Sequence, residues 1–180
     1  IDSYPLPYFV KPRYGNTSFG TAVVNTIEAL KDYLCREDYI VQPFLNDNDY
    51  GVDLVVKNGQ IYDVFMREKL TSRAGTTDTA VSIWDDKIFK LLEDLVKVFD
   101  FEGLIDMDVL KKGDEYFINE INPRFGGVYP SAIACGKDFF KRYLNDDKNG
   151  NFQDYELHLK TVKYEKTIVT KNMARVNNKE

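Results

Sequence analysis

Residues 50–68 place the strongest constraint on the fold, since two apolar runs flank the dipeptide Asn58-Gly59. This dipeptide is typical of the two-residue turn of a β-hairpin, because its residues tolerate the positive φ angles that the turn needs. Two further apolar runs, residues 103–110 and 115–122, are separated by a short segment that contains Gly113. The sequence therefore predicts two antiparallel hairpins in this part of the chain.

Helical segments are predicted between and around these strands. In the first of them, Val23, Ile27, Leu30 and Leu34 fall on one stripe of a helix. The second is amphipathic and opens with acidic residues, which the helix dipole favours at an N-terminus. The predicted helices are residues 21–37, 85–101 and 131–146.

The remaining segments complete a mixed architecture. Short strands are predicted at residues 7–12 and 39–45, a loop of small residues at 70–81, and a β-leaning run at 163–170. Helices mixed with antiparallel strand pairs predict an α+β fold in two lobes. The boundary is expected near residues 45–49, which gives a smaller lobe of residues 1–45 and a larger lobe of residues 46–180.

Composition narrows the functional classes. The 180 residues are 43% hydrophobic and carry a net charge of −5, which favours a globular protein and disfavours a duplex nucleic-acid partner. No apolar run reaches the roughly 20 residues of a membrane-spanning helix, and two cysteines make no disulfide framework, so we expect a cytoplasmic protein. His158 is the only histidine, and we expect it at the surface. Metal or acid–base chemistry must therefore rest on carboxylates, lysines and arginines.

Acidic side chains alternate along the second predicted hairpin. Ile118, Glu120 and Asn122 share one face of a strand, and Asp106 and Asp108 share one face of the strand before it. The hairpin turn can bring these faces together, which would gather three carboxylates and an amide oxygen. Hard oxygen ligands of this kind suit Mg²⁺ beside phosphate groups, whereas the simpler reading is a set of acids that face solvent.

A lysine and a glycine-containing loop lie near the other end of the chain. Lys11 ends a predicted strand, and Gly15, Ser18 and Gly20 follow it in a loop. Glycine loops let backbone N–H groups approach phosphates closely, and a lysine adds a positive charge for the same anion. The segment lacks the GK[ST] signature of a P-loop. Together with the distant acids, it predicts a site for a metal-bound phosphate.

Four segments resemble the ATP-grasp superfamily in their order and spacing. They are "FVKPRYGNTSFG", "IVQPFLNDNDYGVDLVV", "GLIDMDVLKKGDEYFINEINPRFGG" and the following "YPSAIACG". The chain looks most similar to the carbamoyl-phosphate-synthase-like and carboxylate–amine ligase branch, over nearly its whole length and least after about residue 145. The resemblance implies a fold in which two α+β lobes hold ATP between them.

The resemblance also implies roles for nucleotide-binding residues. Lys11 matches a lysine that binds the ATP phosphates, and the loop with Gly15, Ser18 and Gly20 matches a mobile loop that closes over them. Asp49 stands where the family usually has a glutamate that binds the ribose hydroxyls. The segment that matches the adenine-reading connection between the lobes is Gln42, Pro43, Phe44 and Leu45.

The metal and the reacting groups are implied in the same way. Glu120 and Asn122 match the main ligands of Mg²⁺ (or Mn²⁺); Asp108 is the preferred further ligand, with Asp106 left open. Arg124 matches an arginine that meets the transferred phosphate or the acyl substrate. Arg67 and Arg73 are expected to assist there.

The implied activity is that of an ADP-forming ligase. Such an enzyme uses ATP to convert a substrate carboxylate into an acyl phosphate, which an amine or similar nucleophile then attacks. An earlier phosphate-binding lysine and a preceding domain of the family are not found in this sequence, so we expect the rest of the protein or another chain to supply them. Whether the chain forms a homodimer is left open. The alternative is a non-catalytic nucleotide-binding or interaction domain that keeps the fold.

Overall fold

The computed structural model describes residues 4–15, 18–73, 75–147 and 151–164. Within these residues, two antiparallel sheets combine with helices, and the predicted α+β class is confirmed. In chain order the elements are β1 (Tyr8–Pro12), β2 (Ala22–Val24), α1 (Ile27–Leu34), β3 (Tyr39–Pro43), β4 (Asn48–Lys57), β5 (Gln60–Arg73), β6 (Thr76–Ile83), α2 (Asp86–Val98), β7 (Gly103–Lys112), β8 (Glu115–Asn122), α3 (Pro130–Ala134), α4 (Phe139–Asn145) and β9 (Lys160–Val162).

The small sheet has the strand order β2-β1-β3 and packs against α1 around Tyr8, Val10, Val24 and Leu30. The prediction of one helix over residues 21–37 is wrong at its start. Residues 22–24 instead form β2, where the β-branched valines pair antiparallel with β1. The helix begins only after Thr26, whose side chain accepts a hydrogen bond from the Ala29 N–H and caps the N-terminus.

The large sheet has the order β8-β7-β4-β5-β6-β9 and is antiparallel throughout. The hairpin predicted at Asn58-Gly59 is confirmed, and both residues have positive φ. Helix α2, capped by the Asp85 side chain, covers one face of the sheet. The core between them consists of alternate residues of the strands and one stripe of the helix, among them Val52, Leu54, Val64, Met66, Ile88, Leu92, Ile105 and Met107.

Two predicted segments differ from the structure. Residues 70–73 and 76–81 are strand rather than loop: β5 continues to Arg73, β6 begins at Thr76, and Thr77, Ala80 and Ser82 are buried. Small and β-branched residues fit a sheet when their neighbours cover them. Residues 131–146 form two short helices, α3 and α4, separated near Gly136, which has a φ of +92°.

A buried network of four charged residues fastens the C-terminal segment to the large sheet. It consists of Asp63 on β5, Lys137, Arg142 on α4, and Asp154. Lys137 is fully buried, lies 2.7 Å from Asp63, contacts Asp154, and donates to the Phe152 carbonyl at 2.9 Å. Arg142 donates to Asp63 at 3.0 Å and to Asp154 at 2.5 Å.

The pKa values of the two carboxyl groups in the network shift in opposite directions. Burial raises the pKa of Asp63 above its usual range. Burial acts in the same direction on Asp154, but hydrogen bonds from Arg142 and Lys137 outweigh it and lower its pKa to about 2. Asp154 therefore stays ionised in the folded protein.

The chain passes from the small sheet to the large one between Pro43 and Asn48. His158 is exposed, as predicted. Of the β-leaning run at residues 163–170, the structure describes Lys163 and Tyr164, which lie outside strands, and the rest falls outside the described residues. In the described part of the chain, no helix combines the length and apolar character needed to cross a membrane.

Candidate functional site

The face of the large sheet opposite α2 carries charged residues. Along β5, Val64 and Met66 lie in the core beneath α2, so the alternate residues Phe65, Arg67 and Lys69 point to the other face. The same alternation applies to β4 and β7. It places Asp49, Asp53, Asp106 and Asp108 on this face beside Arg67 and Lys69.

Strand register brings the predicted metal ligands opposite one another. Asp108 of β7 pairs with Glu120 of β8, and Asp106 pairs with Asn122. A β-bulge follows, because Val109 pairs with Ile118 and leaves Asn119 without a partner across the ladder. Glu120 and Asn122 thus face Asp108 and Asp106 across the hairpin, as the sequence predicts.

Three adjoining cavities form a cleft: the first two lie between the two sheets, and the third lies on the large sheet. The first, of about 300 Å³, is mainly apolar and contains three of the residues expected to read adenine, Gln42, Pro43 and Leu45. Phe44 lies elsewhere, with its ring stacked on Phe9 and its N–H bound to the Pro7 carbonyl. The other lining residues are Tyr4, Leu110, Phe117, Ile118 and Asn119.

The second cavity, of about 480 Å³, collects the predicted phosphate-binding residues. Lys11, Gly15 and Ser18 line it from the small sheet, and Asp49, Lys69, Asp108, Asn119 and Glu120 line it from the large sheet. Gly20 has a structural role instead: its carbonyl accepts a hydrogen bond from the Tyr39 hydroxyl, and a Cβ at this position would lie 3.0 Å from Pro12 Cγ. Residues 16 and 17 of the predicted loop lie outside the described residues.

The third cavity, of about 290 Å³, is polar and contains the acidic groups. It is lined by Arg67, Lys69, Asp106, Asp108, Glu120, Asn122 and Arg124, together with the turns that follow β5 and β8. Lys69, Asp108 and Glu120 also line the second cavity, and Asn119 joins the second to the first. The cleft is therefore continuous from an apolar end to an acidic end.

Asn119 connects the two sheets inside the cleft. Its Oδ1 accepts from the Gln42 side chain at 3.2 Å and from Lys11 Nζ at 3.4 Å. Both donors belong to the small sheet, whereas Asn119 belongs to β8. The bulge turns Asn119 into the cleft beside Glu120, which a strictly alternating strand would not allow.

Four residues form the cleft cluster: Lys69, Asp108 and Glu120, which line both the second and the third cavity, and Asp49, which lines the second. Lys69 Nζ lies 3.1 Å from Asp49 and 2.6 Å from Asp108, and its side chain is only 9% exposed. Burial raises the pKa of Asp49, and the charge of Lys69 opposes that rise. The Glu120 carboxylate makes no hydrogen bond or ion pair with any residue in the described ranges and is exposed. Asp49 and Asp108 thus share one ammonium group, and Glu120 adds a third negative charge opposite Asp108.

Arg67 is held beneath the third cavity. It is 1% exposed, forms an ion pair with Asp53, and lies 3.4 Å from Asp106. Gly51 gives it room, because a Cβ at this position would come within 2.8 Å of Arg67 Nε. Within the described residues, Arg67 Nε and Asp53 Oδ1 are buried without hydrogen-bond partners.

Asp106 and Asp108 differ in their surroundings. Asp106 is nearly buried between Arg67 and Arg124, and Gly126 packs so closely that a Cβ there would lie 2.5 Å from Asp106 Oδ1. Burial and the neighbouring Asp53 raise the pKa of Asp106. Asp108 is 31% exposed and directly opposite Glu120. These surroundings favour Asp108 over Asp106 as an accessible ligand.

The predicted reactive arginines lie in different places. Arg124 is exposed at the third cavity and donates to Asp106 at 3.1 Å and to the Phe125 carbonyl at 2.8 Å. Arg67 is buried, as described above. Arg73 is not among the residues lining the three cavities and pairs with Asp78 at 3.2 Å.

Three residues of the site were not predicted from the sequence as ligands: Asp53, Lys69 and Asn119. The alternation of Arg67 with Lys69 was a usable signal, but interpreting residues 70–81 as a loop ended the strand too early. Asn119 enters the cleft through a bulge, which follows from strand register and has no signature in one sequence.

The oxygen donors fit a hard divalent cation at the junction of the cavities. Asp108, Glu120 and Asn122 offer carboxylate and amide oxygens toward one polar cavity, as Mg²⁺ requires. In the described ranges, no three acidic, histidine or cysteine side chains are spaced as a complete metal site. The expectation that all three carboxylates gather at one point is therefore wrong, because Arg67 and Arg124 hold Asp106. A bound nucleotide would have to complete the coordination.

Comparison with solved structures shows the same fold at low sequence identity. Biotin carboxylase from Campylobacter jejuni in complex with β-γ-ATP is 14% identical, with a TM-score of 0.65, over 86% of this chain and 40% of that one. N5-carboxyaminoimidazole synthetase from Staphylococcus aureus with ADP is 19% identical, with a TM-score of 0.59, over 72% and 37%.

A third structure contains both nucleotide and magnesium. The biotin carboxylase domain of 2-oxoglutarate carboxylase from Hydrogenobacter thermophilus, with MgADP, ADP and bicarbonate, is 15% identical, with a TM-score of 0.62, over 86% of this chain and 40% of that one. The chain thus spans about two fifths of the length of these proteins.

No curated protein sequence matches the chain. The sequence profile of the ATP-grasp domain, in contrast, matches residues 1–128. This segment includes β1 to β8, and with them Lys11 of the second cavity and the Asp108–Glu120 pair. The chain therefore belongs to the ATP-grasp family.

Proposed function

We propose that the cleft binds Mg-ATP and that the chain is the ATP-binding domain of an ADP-forming ligase. The observation that carries this proposal is the order of the three cavities. An apolar cavity, a cavity with Lys11 and the glycine loop, and an acidic cavity follow one another, as the base, the phosphates and the metal do in a bound nucleotide.

The apolar cavity suits adenine. Leu110, Phe117 and Ile118 supply flat apolar contact from the large sheet, and residues 42–45 pass along the other side. The Pro43 carbonyl can accept from the adenine amine, and the Leu45 N–H can donate to the ring. Asp49, at the start of β4, is the candidate for the ribose hydroxyls.

The next two cavities suit the triphosphate and its metal. Lys11, Gly15 and Ser18 bind phosphate oxygens from the side of the small sheet. Asp108, Glu120 and Asn122 hold the magnesium ion from the large sheet. When bound, the ion neutralises charge on the β- and γ-phosphates.

Arg124 and Lys11 are the proposed catalytic residues. Arg124 is exposed at the acidic end, where it can meet the γ-phosphate or the carboxylate that attacks it. Lys11 stabilises negative charge on the phosphates during transfer. Arg73 would have to leave Asp78 to take part. The proposed reaction converts a carboxylate into an acyl phosphate, which an amine or similar nucleophile then attacks.

Calorimetry with a nonhydrolysable ATP analogue tests the binding step. With Mg²⁺ we expect one nucleotide per chain. We expect Glu120→Gln to weaken Mg²⁺-dependent binding at least about tenfold, because it removes a charged ligand. The matched control is Glu115→Gln on the same strand, which is exposed outside the cavities. Equal binding by both variants, or none by the wild type at millimolar nucleotide, would refute the proposal.

An assay of ADP release tests the reaction. The chain is mixed with ATP, Mg²⁺ and a panel of carboxylates and amines. ADP that appears only with a particular carboxylate supports the ligase. Tight Mg-ATP binding with no ADP release under any combination supports the alternative, a nucleotide-binding domain without turnover.

A further inference from the structure

Lys69 lies between two of the carboxylates of the cleft cluster. Its ammonium group lies between Asp49 and Asp108 at 3.1 and 2.6 Å, and its side chain is almost completely covered. Asp108 is one of the proposed metal ligands, and Asp49 is the proposed ribose ligand. In the nucleotide-free protein, a single side chain therefore occupies both.

The other cations near the acidic cavity are held by different partners. Arg67 is buried against Asp53 and Asp106, and Arg124 donates to Asp106. Lys11 belongs to the opposite sheet and contacts Asn119. In the described residues, Lys69 is thus the cation that neutralises Asp49 and Asp108.

We propose that Lys69 is a resident counter-ion that keeps free divalent cations from Asp108 and releases it when nucleotide phosphates arrive. This inference rests on the proposed function of the cleft. A metal ion that approaches without nucleotide must displace an ammonium group at ion-pair distance, in a site where desolvation strengthens the pair. The resulting competition lowers the affinity of the cleft for metal alone.

Nucleotide removes the competition by giving Lys69 another anion. Lys69 lines the same cavity as Lys11, Gly15 and Ser18, so its flexible stem can reach the phosphates by rotation of its side chain. That movement frees Asp108 for the metal and Asp49 for the ribose hydroxyls in one step. The metal then enters with nucleotide rather than before it.

Manganese binding measured by electron paramagnetic resonance tests the idea without any turnover. The wild type should bind Mn²⁺ at least about tenfold more tightly with saturating ATP analogue than alone. Lys69→Met removes the charge and keeps most of the stem, so it should bind Mn²⁺ alone at least about tenfold more tightly than the wild type, since an adjacent opposite charge commonly shifts a carboxylate equilibrium by one to three decades. Its affinity for the analogue in the presence of EDTA should fall.

Two control variants and a second neutral variant separate competition at Asp108 from general electrostatics and from misfolding. Lys69→Arg keeps the charge and should remain closer to the wild type than to Lys69→Met. Lys112→Met removes an exposed lysine that lies 3.3 Å from Asp47 outside the cavities, and it should bind Mn²⁺ within about twofold of the wild type. Lys69→Gln serves as a second neutral variant if Lys69→Met does not melt cooperatively.

The outcomes distinguish the inference from the proposed function. If the wild type binds the analogue but the neutral Lys69 variants bind Mn²⁺ alone no more tightly than it does, the inference is wrong and the proposed function stands. If the wild type binds no analogue with any metal, both are wrong. Tighter Mn²⁺ binding by the neutral variants together with weaker analogue binding supports both.

Discussion

The buried network and the cleft cluster lie on the same face of β5 and use the same residue types differently. Asp63 belongs to the network and Lys69 to the cluster, six positions apart along the strand. In the network, Lys137 and Arg142 meet the two carboxylates Asp63 and Asp154 at short distances. In the cluster, one ammonium group pairs with Asp49 and Asp108, and Glu120 adds a further negative charge.

This difference separates a structural ion cluster from a candidate binding site. A buried network with balanced charges fixes the C-terminal segment on the sheet, and removing one member leaves an uncompensated charge. A cluster with excess negative charge in an open cleft retains charge that a bound cation can neutralise. Arg67 and Asp53 lie between the buried network and the cleft cluster on this face. They are buried and form an ion pair, but among the described residues each has one polar atom without a hydrogen-bond partner.

The largest expected effect comes from breaking the buried network. Lys137→Met should lower the free energy of unfolding by about 3–5 kcal/mol, because Asp63 and Asp154 then share Arg142 alone in a buried site. Urea denaturation measures the change. Lys87→Met is the matched control, since Lys87 is exposed and 3.7 Å from Asp114, and it should cost less than about 0.5 kcal/mol. Similar losses in the two variants would remove the distinction between the network and a surface pair.

A second expected effect concerns the pH dependence of the network. The pKa of Asp154 in the folded protein, about 2, lies below its ordinary value of 3.8, so its contribution to stability is full above about pH 4 and is lost as the pH falls toward 2. The shift corresponds to about 2 kcal/mol. The raised pKa of Asp63 acts in the opposite direction, because its neutral form relieves the burial cost as the pH falls.

Comparing the wild type with Asp154→Asn isolates the contribution of the Asp154 charge to the free energy of unfolding. The difference in unfolding free energy should be about 2 kcal/mol at pH 6 and should shrink toward zero near pH 2. A difference that stays constant over this range would show that Asp154 acts through packing rather than through its charge.

A smaller effect is expected where the sheet closes over Arg67. Gly51→Ala places a Cβ within 2.8 Å of Arg67 Nε, and Arg67 is only 1% exposed. We expect a loss of at least about 1 kcal/mol in the free energy of unfolding from overpacking. Thermal melts measure it. Arg67 also forms an ion pair with Asp106. Unchanged stability of Gly51→Ala would mean that the Arg67 side chain can move aside, as expected in the open cleft but not in the buried network.

The sequence predicts the elements of this face better than their contacts. Apolar alternation and the Asn58-Gly59 turn predict the hairpins, and residues 120–124 indicate the strand that is proposed to bind the metal. Local pattern cannot predict that Asp106 pairs with arginines while Asp108 faces Glu120, because this depends on register and on a bulge at Asn119. Lys69 and Lys137 were missed for a related reason: their importance comes from partners distant in sequence, Asp108 and Asp63.

The smallest effect on stability is expected at Glu120. Glu120→Gln should change the free energy of unfolding by less than about 0.5 kcal/mol, or raise it slightly, since it removes repulsion near Asp108 without breaking a pair. Asp63→Asn, the equivalent change in the network, should cost several times more. Calorimetric melts without ligand provide the test. A large loss in Glu120→Gln would show that Glu120 is a structural partner and that the cluster is as closed as the network.

Hydrogen exchange with and without Mg²⁺ and a nonhydrolysable ATP analogue tests the central claim most directly. The claim is that the cleft, with its excess of negative charge, is where the nucleotide and its metal bind. We expect slower exchange of rapidly exchanging amides near Lys11, in residues 42–45 and around Asn119 and Glu120, and no change around Lys137 and Asp154. Unchanged exchange in the three cleft segments at saturating ligand, or protection confined to the network, would contradict the account.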